Sequence, residues 1–185
     1  MKKVNSKTNA KTLVTAGLLI ALSVVLTRFM SIIIPLAGSN SLRLGLGTIP
    51  VVISGFILGP FVGVAVGALS DIVGFAINPM GPYFPGFTLS QALYGFIPGY
   101  LTYYVFKKYS TQALITSIIA CEVIISMILN TKWLSILFGT PFLVLLPWRM
   151  VGAVAMIFVH VIIDRAILKA FRFNYDAPEI DEAYE

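Results

Sequence analysis

The chain has 185 residues, a mass of 20.1 kDa and a formal net charge of +5. Hydrophobic residues make up 58% of it and charged residues 11%, against about 45–50% and about 25% in soluble domains. So little polar sequence cannot cover a soluble globule of this size, and the composition also excludes a disordered or collagen-like chain. The single cysteine, Cys121, excludes an internal disulfide and a multi-cysteine metal site. The composition therefore predicts a small polytopic integral membrane protein.

Apolar runs separated by turn residues predict six membrane-spanning helices, because a span needs about 20 mainly apolar residues. In chain order the helices are predicted at residues 12–34, 44–58, 61–77, 88–106, 112–129 and 142–171. Residues 37–43 form a predicted polar loop. Residues 78–87, with three prolines and two glycines, predict an ordered loop or a re-entrant element. We expect residues 130–141 to be an irregular connector.

The basic residues predict which ends of the helices face the cytoplasm. Nine of the thirteen lie in three clusters beside apolar runs: Lys2, Lys3, Lys7 and Lys11; Lys107 and Lys108; and Arg165, Lys169 and Arg172. Such clusters mark cytoplasmic ends, and six spans place both termini there. We predict a basic cytoplasmic N-terminus at residues 1–11, a six-helix membrane domain at 12–173 and an acidic, disordered tail at 174–185. Since no basic stripe is interleaved with aromatic residues, nothing points to nucleic acid.

Small residues recur at helical spacing in several predicted spans, notably at Gly55, Gly59, Gly63 and Gly67 and at Gly95 and Gly99. In lipid, helices associate by the close packing that small residues permit. One interpretation is packing within the bundle. The other is a surface on which another membrane protein docks. Helix 1 is the best candidate for that surface, through Thr12, Ala16, Gly17 and Ala21.

Charged and polar residues inside the spans are the candidates for function, because a charge at a helix centre costs about 2.5–3.5 kcal/mol and usually faces a cavity. Basic, acidic, amide and aromatic residues converge in the outer half of the predicted bundle: Arg28, Arg43, Asp71, Tyr83, Phe84, Phe87, Asn130, Lys132, Trp133 and Arg149. A structural interpretation is that ion pairs such as Arg28–Asp71 join helices. The number of polar residues favours an outward-facing pocket for an anionic, partly aromatic solute.

Two ionisable residues of the last span are given structural interpretations instead. His160 is expected to be a packed or interfacial histidine, and Asp164 to belong to a solvated helix end.

The sequence contains no motif for chemistry. It lacks a GxxxxGK[ST] loop, an HExxH pair and a nucleophile elbow, so we predict no enzymatic activity, no metal and no cofactor. A transporter that works alone usually contains inverted repeats, and none is visible here. Energy for transport is therefore expected to come from partners.

Four strings resemble a known family: residues 43–74 (RLGLGTIPVVISGFILGPFVGVAVGALSDIVG), 82–93 (PYFPGFTLSQAL), 129–142 (LNTKWLSILFGTPF) and 145–149 (LLPWR). They resemble the folate-type S components of energy-coupling factor (ECF) vitamin transporters. The resemblance implies six helices with cytoplasmic termini, an outward-facing site and a prokaryotic plasma membrane. It also implies two kinds of partner, a T transmembrane protein and a pair of ATPases that use the ATP. Family members meet the T protein through an AxxxA pattern on helix 1, where this chain has Gly17-x-x-x-Ala21.

The substrate implied by the resemblance is folate, and the polar residues suit it chemically. A carboxylate would accept the adjacent donors of the pterin, aromatic walls would hold the benzoate, and basic residues would neutralise the glutamate. The basic candidates are Arg28, Arg43, Lys132 and Arg149. Gln91, in the second string, completes the predicted substrate-binding set.

Two buried acids compete for the pterin, and the glycine-flanked Asp71 is favoured over Glu122. The predicted function is thus a folate-binding subunit of an ECF importer. The alternative is a stand-alone proton- or cation-coupled transporter of a small organic anion, with Asp71 and Glu122 as the coupling carboxylates.

Overall fold

A computed structural model describes residues 10–36, 39–79 and 81–170. It contains six helices in the predicted order: α1 (Ala10–Phe29), α2 (Thr48–Leu58), α3 (Pro60–Ile77), α4 (Pro85–Tyr100, continued as a π-helix over Leu101–Phe106), α5 (Thr111–Phe138) and α6 (Phe142–Ala170). Four of them, α1, α3, α5 and α6, are long and apolar enough to cross a membrane. The prediction of a six-helix integral membrane fold is confirmed. The predicted acidic tail and most of the basic N-terminus lie outside the described residues.

A β-hairpin follows α1 where the sequence analysis placed the end of a helix and a polar loop. Strand β1 (Ser31–Leu36) pairs antiparallel with strand β2 (Ser39–Gly45). The predicted extension of helix 1 to residue 34 is wrong because residues 32–34 are three isoleucines, and β-branched residues favour strands. The pairing register shifts at Pro35, which has no N–H to donate to a strand ladder.

Two other helix boundaries differ from the prediction by four residues or more. Helix α2 begins at Thr48 rather than at residue 44, which places Pro50 in the first turn, where its missing N–H needs no partner. Helix α5 continues through the predicted irregular connector and ends at Gly139, whose φ is +68°. Because glycine adopts this left-handed conformation without a steric penalty, the helix ends there and not at residue 129.

Short connections place successive helices antiparallel, so residue 10 and residue 170 lie at the same end of the bundle. We call this end the terminal side. The opposite end, the hairpin side, carries the hairpin and the residues between α3 and α4. The side chain of Arg28, in the last turn of α1, donates to the carbonyl of Asn78 just after α3, at 3.2 Å.

Helices α2, α3 and α4 approach one another at glycines. A Cβ atom at Gly55 or Gly63 would overlap the carbonyl of Gly95, with no room for it to move aside. The core continues around Phe56 and Val66, which are fully buried. This part of the small-residue pattern is therefore packing within the bundle, as the first interpretation held.

The glycine contact predicts that Gly95→Ala destabilises the fold, because the added methyl group meets backbone atoms. Overpacking of this kind costs about 1–3 kcal/mol. Thermal unfolding of the detergent-purified protein should show a lower Tm. The matched control is Gly17→Ala in α1, where a Cβ atom has nothing within 4 Å. Equal Tm values for the two variants would contradict the close approach of α4 to α2 and α3 at Gly95.

Candidate functional site

A cavity of about 250 Å³ lies among the helices and is lined by residues from all six of them. Eight of the eleven predicted substrate-binding residues line it: Arg28, Asp71, Tyr83, Phe84, Phe87, Gln91, Asn130 and Arg149. These residues are far apart in the sequence, and the fold brings their side chains to one cavity, as their positions in the outer half of the predicted bundle indicated.

The three other predicted residues lie elsewhere. Trp133 is beside the lining: its indole Nε1–H donates to Ser90 Oγ at 3.2 Å, and its ring packs against Phe84 with centroids 5.7 Å apart. Lys132 is exposed and is not among the lining residues. Arg43 belongs to β2, where its backbone pairs with that of Ile33, and its side chain lies outside the described part of the chain.

At the hairpin-side end of the cavity, Arg28 and Asp71 form an ion pair. The distance from Arg28 Nη2 to Asp71 Oδ1 is 3.7 Å, and both side chains are largely buried. Asp71 Oδ2 also accepts a hydrogen bond of 2.7 Å from the Thr88 hydroxyl, which lies 3.0 Å from the hydroxyl of Tyr83. We call Arg28, Asp71, Thr88 and Tyr83 the loop-end cluster. It joins α1, α3 and α4.

Aromatic rings form one wall of the cavity near this cluster. Phe84 contacts Phe87 and Trp133 with centroid distances of 5.8 and 5.7 Å, and Phe75 contacts Tyr83 at 5.1 Å. The rings meet at tilted or edge-on angles of 51° to 68°, the arrangement that aromatic quadrupoles favour. Such a wall suits a flat aromatic solute.

A second polar cluster lies farther from the loops, near the middle of α5. Glu122 is 3% exposed and lies within hydrogen-bonding reach of the hydroxyls of Ser126 and Tyr94. Arg149 is close enough to Glu122 to balance its charge, and its Nε and Nη2 groups donate to the Ser126 carbonyl at 3.1 and 3.0 Å. We call Glu122, Tyr94, Ser126 and Arg149 the deep cluster.

The middle of α5, Cys121–Asn130, is a π-helix. π-Helical turns are rare and frequently occur at functional sites. Here the segment carries three of the polar residues that line the cavity, Glu122, Ser126 and Asn130.

Several buried polar atoms of the lining have no hydrogen-bond partner within the described residues. They are Gln91 Oε1, Asn130 Oδ1 and Arg28 Nε. Buried polar atoms are nearly always hydrogen-bonded in folded proteins. The cavity therefore offers acceptors and a charged donor to a molecule that enters it.

The predicted set omitted six polar lining residues: Thr27, Thr48, Ser90, Tyr94, Glu122 and Ser126. One signal was available in the sequence: Glu122, Ser126 and Asn130 are spaced four apart within an otherwise apolar segment. Residues at this spacing lie on one face of a helix. Thr48 and Tyr94 gave no comparable signal, because a single hydroxyl in a membrane helix is common and inexpensive.

The structure corrects one expectation for α6. Asp164 is fully buried rather than solvated, because it shares with Leu168 a face of α6 that packs into the bundle, while Arg165 is exposed. His160 is packed, as expected, with 1% of its surface exposed.

The predicted docking residues of α1 divide between two environments. Thr12 and Ala16 are half-buried, and Ala16 packs against the core. Gly17 and Ala21 are exposed. The small residues Gly17 and Ala21 thus form an outward-facing strip rather than an internal contact.

Comparisons with known proteins agree with one another at the level of the family. A family model described as "ECF-type riboflavin transporter, S component" matches residues 7–172. The folate transporter FolT of Clostridium novyi (strain NT) is 38% identical over 163 residues, which cover 88% of this chain and 87% of that protein.

Two solved structures are also similar. A crystal structure of FolT bound with folic acid matches with a TM-score of 0.73 and 30% identity, covering 90% of this chain and 96% of that one. A structure of the S component of a bacterial ECF transporter matches with a TM-score of 0.66 and 24% identity, covering 89% and 99%. At that lower identity the second match supports the fold alone.

Proposed function

Because this chain belongs to the family of ECF-type transporter S components, we propose that it is the folate-binding subunit of such a transporter. It captures folate outside a prokaryotic plasma membrane, with both of its termini in the cytoplasm. A T transmembrane protein and two ATPases then drive release of folate into the cell. The similar folate transporter and the structure with folic acid support this choice of substrate.

The observation that carries the proposal is a cavity that combines Arg28, at the loop-end cluster, with an aromatic wall. Folate carries two carboxylates at one end and aromatic rings at the other. Riboflavin, the substrate in the description of the family model, carries no carboxylate and would leave Arg28 without an anionic partner from the ligand. Charge-assisted pairs of arginine with carboxylate are strong and geometrically specific.

Folate is proposed to bind with its glutamate at the loop-end cluster and its pterin at the deep cluster. The glutamate must reach solvent or a cation, and Arg28 Nε there lacks a hydrogen-bond partner among the described residues. The pterin is flat and uncharged, and its N–H donors need an acceptor, so it is placed at the buried end, which holds Glu122. Gln91 Oε1 and Asn130 Oδ1, which also lack partners within the described part of the chain, can accept hydrogen bonds along the way.

This orientation favours Glu122 over Asp71 as the acid that reads the pterin. Asp71 already accepts a hydrogen bond from Thr88 and pairs with Arg28, so both of its oxygens are engaged. Glu122 lies deeper, and its charge is balanced by Arg149. A carboxylate can accept the 2-amino and N3–H donors of the pterin as a bidentate pair.

We predict that Glu122→Gln weakens folic acid binding about tenfold or more, because an amide donor replaces a carboxylate acceptor. A buried polar group left unsatisfied costs about 1–3 kcal/mol, and more when charged. Calorimetry should show the same loss for pteroic acid, which lacks the glutamate. As the matched control, Arg28→Gln should weaken folic acid binding but not pteroic acid binding. A larger loss with Asp71→Asn than with Glu122→Gln, for both ligands, would assign the pterin to Asp71 instead.

The second prediction concerns the source of energy for transport. The chain should bind folic acid by itself but accumulate none, since it has no ATP-binding loop. Cells that lack ECF modules should show folate bound in proportion to the amount of this protein, with no uptake beyond that. Accumulation against a gradient in such cells, driven by a proton or cation gradient, would support the stand-alone transporter and contradict the proposal.

The third prediction concerns docking. We propose that the exposed strip of Gly17 and Ala21 contacts the T protein, because small residues let helices approach closely. The double variant Gly17→Leu, Ala21→Leu should keep its folic acid affinity and lose ATP-driven uptake in the complete complex. Thr15→Leu is the matched control, since Thr15 is exposed but lies on the opposite face of α1 at 100° per residue. Loss of ligand binding in the double variant would show that the strip is structural.

A further inference from the structure

A buried histidine and a buried acid lie directly behind the wall of the cavity. Thr48, in the first turn of α2, lines the cavity. Its Oγ1 lies 2.9 Å from Nε2 of His160 on α6, and the other ring nitrogen, Nδ1, lies 3.5 Å from Oδ2 of Asp164. His160 and Asp164 are 1% and 0% exposed. The three residues form a line from the cavity into the core.

Neither carboxylate oxygen of Asp164 has a hydrogen-bond partner among the described residues, and its ion-pair contact there is with His160 Nδ1 at 3.5 Å. Cys121 lies close enough to Asp164 to interact with it electrostatically. Glu122 interacts electrostatically with His160 and, more weakly, with Arg149. Among the described residues, the basic group that interacts with Asp164 is His160 rather than Arg149.

An ionised carboxylate without hydrogen bonds is strongly disfavoured in a dry interior. The pair of His160 and Asp164 is therefore neutral overall, which requires two protons on it. If His160 is the charged member, both ring nitrogens carry a proton. If Asp164 is protonated, we place the proton on Oδ2, which lies near Nδ1, because a proton on Oδ1 would have no acceptor among the described residues; the ring proton is then on Nε2. In both arrangements Nε2 carries a hydrogen and faces Thr48.

The proton on Nε2 determines what Thr48 can do. His160 donates to Thr48 Oγ1, so the hydroxyl of Thr48 does not donate to the ring and is available to donate into the cavity. Without the pair, the hydroxyl would be free to act as donor or acceptor. Thr48 and Glu122, both close to His160, then present one donor and one acceptor on the same part of the cavity.

We infer that Thr48, held as a hydrogen-bond donor by His160 and Asp164, selects a ligand ring that carries a carbonyl acceptor beside its N–H donors. This inference rests on the proposed function and names the part of the ligand that it reads. In folic acid the matching group is the C4 carbonyl beside N3–H. An analogue with an amino group at that position would set a donor against the donor of Thr48. Thr48 touches the ligand, whereas His160 and Asp164 act as positioning residues.

The test compares the affinities of folic acid and its 4-amino-4-deoxy analogue by calorimetry on the purified full chain. The wild type should bind folic acid more tightly. In Thr48→Val, folic acid should bind about 3- to 10-fold more weakly, the effect of one lost hydrogen bond, and the analogue should not. Thr48→Ser keeps a hydroxyl and should keep the preference. An unchanged preference in Thr48→Val, with folic acid still bound, would overturn the inference.

The positioning role is tested with two amide variants of His160. In His160→Gln the amide nitrogen can take the place of Nε2 and donate to Thr48, so the preference for folic acid should persist. In His160→Asn the amide is too short to reach Thr48, so the preference should fall although Thr48 is intact. Equal weakening of both ligands in His160→Asn would mean that His160 only supports the fold.

The inference and the proposed function fail in different ways. If the wild type bound neither folic acid nor its analogue, the proposed substrate would be wrong. If the wild type bound both ligands, and Thr48→Val showed the same ratio of affinities for them as the wild type, only the inference would be wrong.

Discussion

Balancing charge inside an apolar bundle is the constraint on which the rest of this structure depends. Four charged side chains, Arg28, Glu122, Arg149 and Asp164, are buried among helices whose surroundings offer little polar sequence. A buried charge without a partner costs several kcal/mol. Arg28 therefore pairs with Asp71, Arg149 lies beside Glu122, and Asp164 Oδ2 lies 3.5 Å from His160 Nδ1. These pairs connect α1 with α3 and α5 with α6, and a hydroxyl of α2 completes the third.

The same pairs show that the intramembrane charges can both join helices and line a cavity. The Arg28–Asp71 pair does join two helices, as the structural interpretation held. It also lines the cavity and leaves Arg28 Nε without a hydrogen-bond partner among the described residues, so that this atom is available to a ligand. A polar residue that holds the bundle together can thus have spare hydrogen-bonding capacity for a ligand. That the family consists of transporter components confirms the prediction that the chain is not an enzyme.

Sequence reasoning reached the helices and most of the cavity lining because both depend on strong local signals. Long apolar runs predict spans, and charges within them predict a cavity. The hairpin was missed because the three isoleucines at residues 32–34 continue the apolar run of helix 1. The length of that run was given more weight than the preference of β-branched residues for strands. The continuation of α5 was missed because Asn130 resembles a helix end, whereas it faces a cavity. The burial of Asp164 depends on which face of α6 packs inward, which the nearly uniform hydropathy of that helix does not reveal.

The most direct test of the account is calorimetric titration of the purified wild-type chain with folic acid and, separately, with riboflavin. We predict saturable binding of one folic acid per chain and no measurable binding of riboflavin, because only folic acid supplies carboxylates to Arg28 in the cavity. Tighter binding of riboflavin than of folic acid would contradict it.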